Sequence, residues 1–361
     1  MMARALRLAK RGLYTTDPNP RIGCVIVRNE EIVGEGFTSP VGGPHAEINA
    51  LNITGEAAQG ATVYVTLEPC SHHGRTPPCV DALIKAKVKR VVYAIADPNP
   101  LVNGAGAAAL QAAGIKVSTG IMSAQARELN IGFFQRMSNG LPWVTVKIGA
   151  SIDGKVALAN GVSQWITSDE SRADVQRQRA RSSAIMTGSG TVLTDDPRLT
   201  IRAAEIDLQG RNVLRVICDS QLRTSPTARL FKEPGAILIV TTSNDASRVA
   251  QLTAAGAEVI SLAADQNGHV DLAGVLRLLA TRGCNELLIE AGPRLSGRML
   301  ELGLANELLI YMAPVVLGAD ARSMFTTAPL DTMAARWNFE VHDVARTGKD
   351  MRVRLRPATQ T

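Results

Sequence analysis

At 361 residues the chain is longer than a typical domain, and at about 100–200 residues per domain it reads as two. Its balance of 45% hydrophobic and 20% charged residues supplies two globular cores, no run of about 18 apolar residues offers a helical membrane span, and five cysteines, an odd number, argue against a disulfide framework. The formal charge of +6 comes from scattered Lys and Arg with no basic block, a generic basic surface that suits anionic small substrates, so phosphorylated metabolites fit it as well as nucleic acid does.

In chain order, MMARALRLAKRG is amphipathic and Arg-rich. It lacks the Ser-rich extension of a transit peptide and runs directly into a strand-like segment, so it reads as a first helix, with a bacterial-type cytoplasm as the expected location. RIGCVIV and EIVGEGF flank RNE as a β-hairpin. GGPHAEINALN is a loop feeding a helix, ATVYVTLEPC a strand ending in a Pro-Cys turn, and VDALIKAKV a short amphipathic helix. RVVYAIAD, GAGAAALQAAG and IKVSTG continue as strand, helix and strand. This alternation predicts a three-layer α/β sandwich whose sheet is largely parallel after the hairpin. AQARELNIGFFQRMSNGLP reads as one helix stopped by Asn139-Gly140 and Pro142, which sets the boundary between residues 1–141 and 142–361.

Beyond it, WVTVKIGAS, AIMTG, VLRVICD, AILIVTT, EVISL, ELLIEAG and ELLIYMAPVV are predicted strands. SDESRADVQRQRAR and RLSGRMLELG are helices between them, and FEVHDVAR and MRVRLRP form a last antiparallel pair. The second half is therefore also α/β, with a larger sheet. Cys24, Cys218 and Cys284 fall in or beside apolar strands and read as buried reduced thiols, whereas Cys70 and Cys79 lie in polar, Pro-rich surroundings.

Those two cysteines belong to the most informative pattern in the chain. Zinc deaminases place one His and two Cys on Zn²⁺ and use a non-ligand Glu as the proton shuttle, with the signature H-x-E followed by P-C-x-x-C. His45-Ala46-Glu47 sits where a loop becomes a helix, and Pro69-Cys70 follows a strand. Three protein ligands, His45, Cys70 and Cys79, leave a fourth position for water, as in catalytic zinc sites. The second cysteine departs from the signature, because the eight residues SHHGRTPP separate it from Cys70. Cys79 opens a helix, where the helix end favours a thiolate. Two alternatives stay open at this point: Cys70 and Cys79 as a redox pair, and His72 or His73 as the nitrogen ligand.

The second half lacks G-x-G-x-x-G, so a dinucleotide site of that pattern is not supported. It offers instead the strand ELLIE followed by AGPRLSGR and a helix, where Gly292 and Gly297 would let backbone N–H groups approach a phosphate. AIMTGSGTVLTDDP is a second Gly-containing turn.

TLEPCSHHGRTPPC, TTDPNPRIGCVIV, PHAE and ADPNP, together with KIGASIDGK, SQWITS, TVLTDDPRLT, VICDS, EAGP and YMAPVVLG, resemble the bifunctional riboflavin-biosynthesis deaminase/reductase family over essentially the whole chain. The long Cys–Cys insert is itself characteristic of that family. The resemblance implies a cytidine-deaminase-like three-layer sandwich followed by a dihydrofolate-reductase-like α/β domain. It implies zinc-dependent deamination of 2,5-diamino-6-ribosylamino-4(3H)-pyrimidinone 5′-phosphate with Glu47 as proton shuttle, then NADPH-dependent reduction of the ribosyl chain to ribityl. Carried over by motif, Ala150, Trp165, Thr191, Asp195, Ser220 and the turn Gly292, Pro293, Arg294, Leu295, Ser296, Gly297 and Arg298 would contact NADPH. Ser163, Arg179, Leu199, Arg202 and Glu290 would contact substrate, with Arg179 and Arg202 suited to phosphate. Lys147 and Glu290 are the candidates for polarising the open-chain sugar. A dimer or tetramer through the second domain is expected, with no nucleic acid or membrane partner. Two competing readings are a deaminase carrying a non-catalytic dimerisation domain, and a nucleic-acid base deaminase. The latter needs an aromatic, basic strand-tracking surface that the sequence does not display.

Overall fold

The structure is a computed structural model describing residues 1–72, 77–100 and 102–358. The chain divides into two units: Met1–Leu141 with the short segment Asp207–Arg211, and Pro142–Ile206 with the chain from Asn212 onward. Among the described residues no helix is long and apolar enough to cross a membrane.

In the first unit, α1 (Met2–Ala9) precedes the hairpin of β1 (Gly23–Arg28) and β2 (Glu31–Phe37). Then come α2 (Ala46–Thr54), β3 (Thr62–Val65), α3 (Cys79–Lys85), β4 (Arg90–Tyr93), α4 (Ala105–Ala112), β5 (Lys116–Thr119), α5 (Ser123–Leu129) and α6 (Ile131–Asn139). The sheet order is β2-β1-β3-β4-β5, with β1 antiparallel to both neighbours and β3, β4 and β5 parallel. Asn29 and Glu30 both take positive φ at the hairpin tip, the twist-matched conformation of a two-residue turn.

Strand alternation divides the apolar side chains between two faces. Cys24, Ile26, Val63, Val65 and Val91 pack with Ala46 and Ala50 of α2, Val80 and Leu83 of α3 and Leu110 of α4. Val25 and Val92 pack on the other side with Met2, Ala5 and Leu6 of α1 and Ala126 of α5. One sheet with a core on each face is the expected three-layer sandwich. Helix α1 lies so close that a Cβ on Gly23 would stand 1.9 Å from the Ala5 carbonyl oxygen.

The segment read as one helix before the boundary is two, α5 and α6, broken at Asn130. Its side chain accepts from Arg21 N at 2.7 Å and donates to Arg21 O at 2.9 Å, and this buried two-way bond outweighs continuation of the helical ladder.

The second unit is built on β6 (Trp143–Ser151), β7 (Lys155–Ala157), α7 (Asp169–Arg181), β8 (Ala184–Gly188), α8 (Ser189–Asp195) and β9 (Leu214–Cys218). It continues with β10 (Ile237–Thr241), α9 (Ala246–Ala254), β11 (Ala257–Ser261), α10 (Leu272–Thr281), β12 (Glu286–Glu290), α11 (Pro293–Glu301), β13 (Glu307–Ala313), β14 (Arg322–Ser323), β15 (Phe339–Thr347) and β16 (Asp350–Pro357). The sheet order is β11-β10-β9-β8-β12-β6-β13-β16-β15, parallel from β11 to β13 and antiparallel in the last two pairs; β7 and β14 pair separately. ILIVT and ELLIE are buried at every position, as strands covered on both faces must be. Helices α9 and α10, absent from the sequence reading, are the crossovers that parallel β10, β11 and β12 require. Each is capped by an aspartate side chain, Asp245 to Arg248 N and Asp271 to Ala273 N.

Replacing Gly23 with Ala is expected to destabilise the first unit by about 1–3 kcal/mol, because α1 must move off the sheet. Urea unfolding of the variant checks this, and an unchanged midpoint would contradict the packing described.

Candidate functional site

His45 is the residue before the first turn of α2, in extended conformation, so its ring leaves the helix while Glu47 enters the core. Cys70 follows β3 through Thr66–Pro69, and Cys79 is the first residue of α3. The His45 Nδ1 stands 3.6 Å from Cys70 Sγ and 3.3 Å from Cys79 Sγ, and the three donor atoms lie within 4.8 Å of one another. The insert between the cysteines is closed at its ends: Cys79 N donates to Cys70 Sγ at 3.3 Å, and Val80 N donates to Cys70 O at 3.2 Å. His72 is not in this group of donors, and its Nδ1 is buried without a partner among the described residues. His73 lies outside the described residues.

One nitrogen and two sulfurs at this spacing fit a tetrahedral zinc with one position left for water. Glu47 supplies a second sign of fit. It is 2% exposed, its Oε2 has no partner among the described residues, and burial, reinforced by the charge on Cys70, pushes its carboxyl up to about 7. Such an orphaned acid needs a proton or a polar guest. Between the sulfurs, a hydrogen bond from Cys79, then the His45 contact, holds Cys70 down to about 4, while the same bond and burial push Cys79 up. A bound cation would hold both sulfurs as thiolates, since metal ligation and thiol deprotonation are linked.

Sequence reading passed over Glu68. Its buried carboxylate accepts from Asp97 N, Gly104 N and Ala107 N at 3.3, 3.0 and 3.1 Å, tying the segment after β4 and the start of α4 to the strand end that carries Cys70. A carboxylate beside three backbone N–H groups is a strong fixed point. The available signal was an acidic residue between an apolar strand and Pro69 with no partner nearby in sequence.

In the second unit, adjacent parallel strands β10, β9, β8, β12 and β6 end on one edge, where open α/β sheets bind ligands. Ser220, Ser189, the turn from Gly292 and Ala150 all fall at or just beyond these strand ends. Thr191 Oγ1 accepts from Gly292 N at 3.2 Å, joining two of the predicted cofactor segments. Ser296 Oγ is buried without a partner among the described residues, as a hydroxyl waiting for a ligand would be. Gly297 has a different task from the one expected: a Cβ there would stand 2.0 Å from Thr326 O, so it permits packing, while Gly292 remains open. Arg298 is engaged by Asp265 and Glu301. Trp165 is 70% exposed with the Arg172 guanidinium 4.6 Å from its ring centre. Asp195 ends α8 at the surface.

Glu290 ends β12 directly opposite Lys147 in β6. Lys147 Nζ is 3.1 Å from Glu290 Oε2, and Arg179 grips the same carboxylate at 2.5 and 3.1 Å while donating to Thr200 O at 2.7 Å. Leu199 is buried beside Thr200 with φ +54, and Arg202 is exposed, bonded to Thr200 Oγ1 at 3.3 Å. Buried Arg179 is thus occupied by Glu290, which leaves Arg202 as the phosphate candidate of the pair. Burial would raise the Glu290 carboxyl, but Arg179 first and Lys147 next hold it at about 2.

The fold and these two sites define a zinc-type deaminase joined to an α/β nucleotide-dependent reductase. Residues 1–95 match the cytidine and deoxycytidylate deaminase zinc-binding region, and residues 142–353 match the RibD C-terminal domain. The chain is 47% identical to the riboflavin biosynthesis protein RibD of Escherichia coli strain K12, covering 98% of each, and 42% identical to RibD of Haemophilus influenzae, covering 99% of this chain and 96% of the other. Among solved structures, Acinetobacter baumannii RibD superimposes with a TM-score of 0.92 at 43% identity over 99% of this chain and 98% of that one. The Thermotoga maritima diaminohydroxyphosphoribosylaminopyrimidine deaminase/5-amino-6-(5-phosphoribosylamino)uracil reductase does so at 0.86 and 33% identity, covering 99% and 97%. The chain belongs to the RibD family of bifunctional riboflavin-biosynthesis enzymes. It is a deaminase that uses zinc and a reductase that uses NADPH, acting on small molecules, and the match across its second half sets aside a deaminase with a non-catalytic partner domain.

Because Glu290 is held below its ordinary value of 4.5, its contribution to stability is complete above that pH and lost as pH falls toward 2. Thermal unfolding between pH 5 and 2 is expected to show this loss in the second unit (roughly these limits follow from the two pKa values). Glu290→Ala, which strands the buried Arg179 and the half-buried Lys147, should cost roughly 3–5 kcal/mol at neutral pH and flatten the acid dependence.

Proposed function

We propose that residues 1–141 form the deaminase domain and residues 142–361 the reductase domain, and that they act in that order on one phosphorylated pyrimidine. His45, Cys70 and Cys79 hold the zinc, and Glu47 moves the protons. The observation that carries this is the meeting of three donors from separate elements within 4.8 Å, beside a buried Glu47 oxygen that has no partner among the described residues. Zinc, when bound, lowers the pKa of the water it holds and so supplies a nucleophile near neutral pH for the ring carbon bearing the 2-amino group of 2,5-diamino-6-ribosylamino-4(3H)-pyrimidinone 5′-phosphate. Glu47 takes the water's proton at its carboxylate and delivers it to the ring nitrogen, then takes the proton of the newly added hydroxyl and gives it to the amino group, which leaves as ammonia. Glu68 fixes the chain on which Cys70 sits.

In the reductase domain NADPH supplies the hydride. It lies along the carboxyl edge of the parallel strands, contacted by Ala150, Trp165, Thr191, Asp195, Ser220 and the turn from Gly292 to Arg298. Ser163, Leu199, Arg202, Arg179 and Glu290 border the sugar phosphate. Arg202 pairs with the phosphate, and Arg179 orients Glu290. Lys147 donates from Nζ to the sugar oxygen on which negative charge develops as hydride arrives, and Glu290 holds that ammonium in place at 3.1 Å.

The second unit also carries the surface for self-association. The edge hairpin β15–β16 exposes Val341, Val344 and Met351 next to Ile152, over an apolar groove of about 410 Å³ that also involves Met312 and Pro314. Arg346, Lys349 and Asp350 border the same groove, and its exposed apolar side chains suit a second copy of the chain.

Metal analysis is expected to find about one zinc per chain, lost in Cys79→Ala. Glu47→Gln should keep the zinc, lower deamination by roughly a hundredfold or more, and still oxidise NADPH when given the deaminated pyrimidine. Zinc retained in Cys79→Ala but lost in His73→Ala would replace this ligand set.

A further inference from the structure

The first unit is not one continuous stretch of sequence. Besides Met1–Leu141 it takes in a short piece from far along the chain, Asp207–Arg211. What that piece touches inside the first unit shows what it is there for.

The piece is a tight turn that presents one side chain. Gln209 N donates to Asp207 Oδ1 at 2.8 Å, and Arg211 N donates to Leu208 O at 3.0 Å. Gln209 and Gly210 take φ of +49 and +82, and Arg211 follows directly. The Arg211 side chain is only 8% exposed. Its Nε donates to Tyr14 O at 2.7 Å, and its Nη1 lies 3.9 Å from Asp17 Oδ2. One planar guanidinium therefore holds a carbonyl and a carboxylate of the segment between α1 and β1, a task for which its rigid fork is suited and a single ammonium is not.

That segment, residues 14–21, runs between the two stretches that carry His45 and Cys70. Because β1 is antiparallel to β3, the chain entering β1 lies beside the chain leaving β3 toward Cys70. Gly23 N donates to Thr66 Oγ1 and Thr66 N to Gly23 O, both at 3.1 Å. On the other side β1 is antiparallel to β2, so the same segment meets the chain leaving β2 toward His45. Thr38 N donates to Ile22 O at 3.0 Å, and Ser39 N donates to the carbonyl of Pro44, the residue before His45, at 3.1 Å.

The segment is secured at both ends by side chains remote in sequence. At the β1 end Asn130 makes its two-way bond to the backbone of Arg21, and Arg21 Nη1 donates to Leu129 O at 3.0 Å. In the middle Thr16 N and Oγ1 both donate to Gly12 O, and Asn19 N donates to Thr16 O at 2.8 Å. At the far end the clamp is Arg211. A loop fixed in this way before a ligand arrives puts no ordering cost on the ligand that binds against it.

We propose that Arg211 is a positioning residue for deamination: through Tyr14 and Asp17 it holds residues 14–21 as a wall of the deaminase pocket, so the deaminase unit is completed by a residue encoded beyond the boundary at residue 141. This rests on the ligand set His45, Cys70 and Cys79 proposed above. Arg211 supplies no atom to the reaction. With the clamp released, the segment visits other conformations and substrate binds only the fraction that is in place, which raises the apparent dissociation constant and leaves the chemical step as it was.

Steady-state deamination by the full chain tests this, with zinc content and NADPH oxidation on the deaminated pyrimidine measured on the same preparations. Arg211→Ala should raise the KM for the diaminopyrimidine about tenfold and keep kcat within about twofold. Zinc should stay at about one per chain, and NADPH oxidation should stay within about twofold of wild type. Arg211→Lys, which reaches one of the two partners but not both, should recover part of the loss. An unchanged KM in Arg211→Ala overturns the proposal. A fall in kcat at unchanged KM does so too, as do equal losses of both activities in both variants, which would make Arg211 a general support of the fold. Should Arg211→Ala not fold, Arg211→Lys carries the test alone, and a wild-type KM in that variant overturns the proposal. Cys79→Ala separates the two readings: if it keeps its zinc, the ligand set fails, whereas zinc lost there beside a wild-type KM in Arg211→Ala defeats this proposal only.

Discussion

Three donor atoms from three separate stretches of chain have to meet inside 4.8 Å, and much of the first unit bears on that requirement. Helices α2 and α3 pack on the same face of the sheet, because Ala46, Ala50, Val80 and Leu83 share one core with Cys24, Ile26 and Val63. That packing aims the start of each helix, with His45 and Cys79, at the end of β3. Cys70 is then fixed from both directions: Val80 N reaches back to its carbonyl, and Glu68 two residues earlier is bound by three backbone N–H groups. Backbone bonds that do not involve the metal help to position the ligands.

The second unit solves a related problem with charge. Glu290 comes to lie opposite Lys147 because β12 and β6 are parallel neighbours, and Arg179 arrives from α7 to close the group. Two cations on one buried carboxylate keep that carboxylate ionised against its burial. The cluster is then a rigid, positively biased wall beside the predicted sugar contacts, and it reads as site chemistry more than as a source of stability.

Much of this was legible in the sequence because it is local. H-x-E at a loop-to-helix change, P-C after a strand, and two α/β alternations each need only a few neighbouring residues, and they led to the fold class and to His45, Glu47, Cys70 and Cys79 as candidates. What the sequence hid depends on distant partners. Nothing near Asn130 announces Arg21, yet that pair splits a predicted helix in two. Gly297 looks like a phosphate-turn glycine until Thr326 is seen against it. Glu68 sits in a motif read for its cysteine, and its three N–H donors come from residues 97–107.

The order of the large sheet has a consequence for how the enzyme is made. Strand β6 is the first part of the second unit to leave the ribosome, yet its two partners, β12 and β13, are among the last strands to be synthesised. At about 5–20 residues per second, an apolar strand with both edges open waits on the order of ten seconds for its neighbours. The first unit depends on no such delay, since β1 to β5 are complete before β6 begins. Lys147, in the middle of WVTVKIGAS, interrupts that strand's apolar run with a charge. A charge inside an apolar strand is the kind of feature that disfavours edge-to-edge pairing while the strand's edges are open.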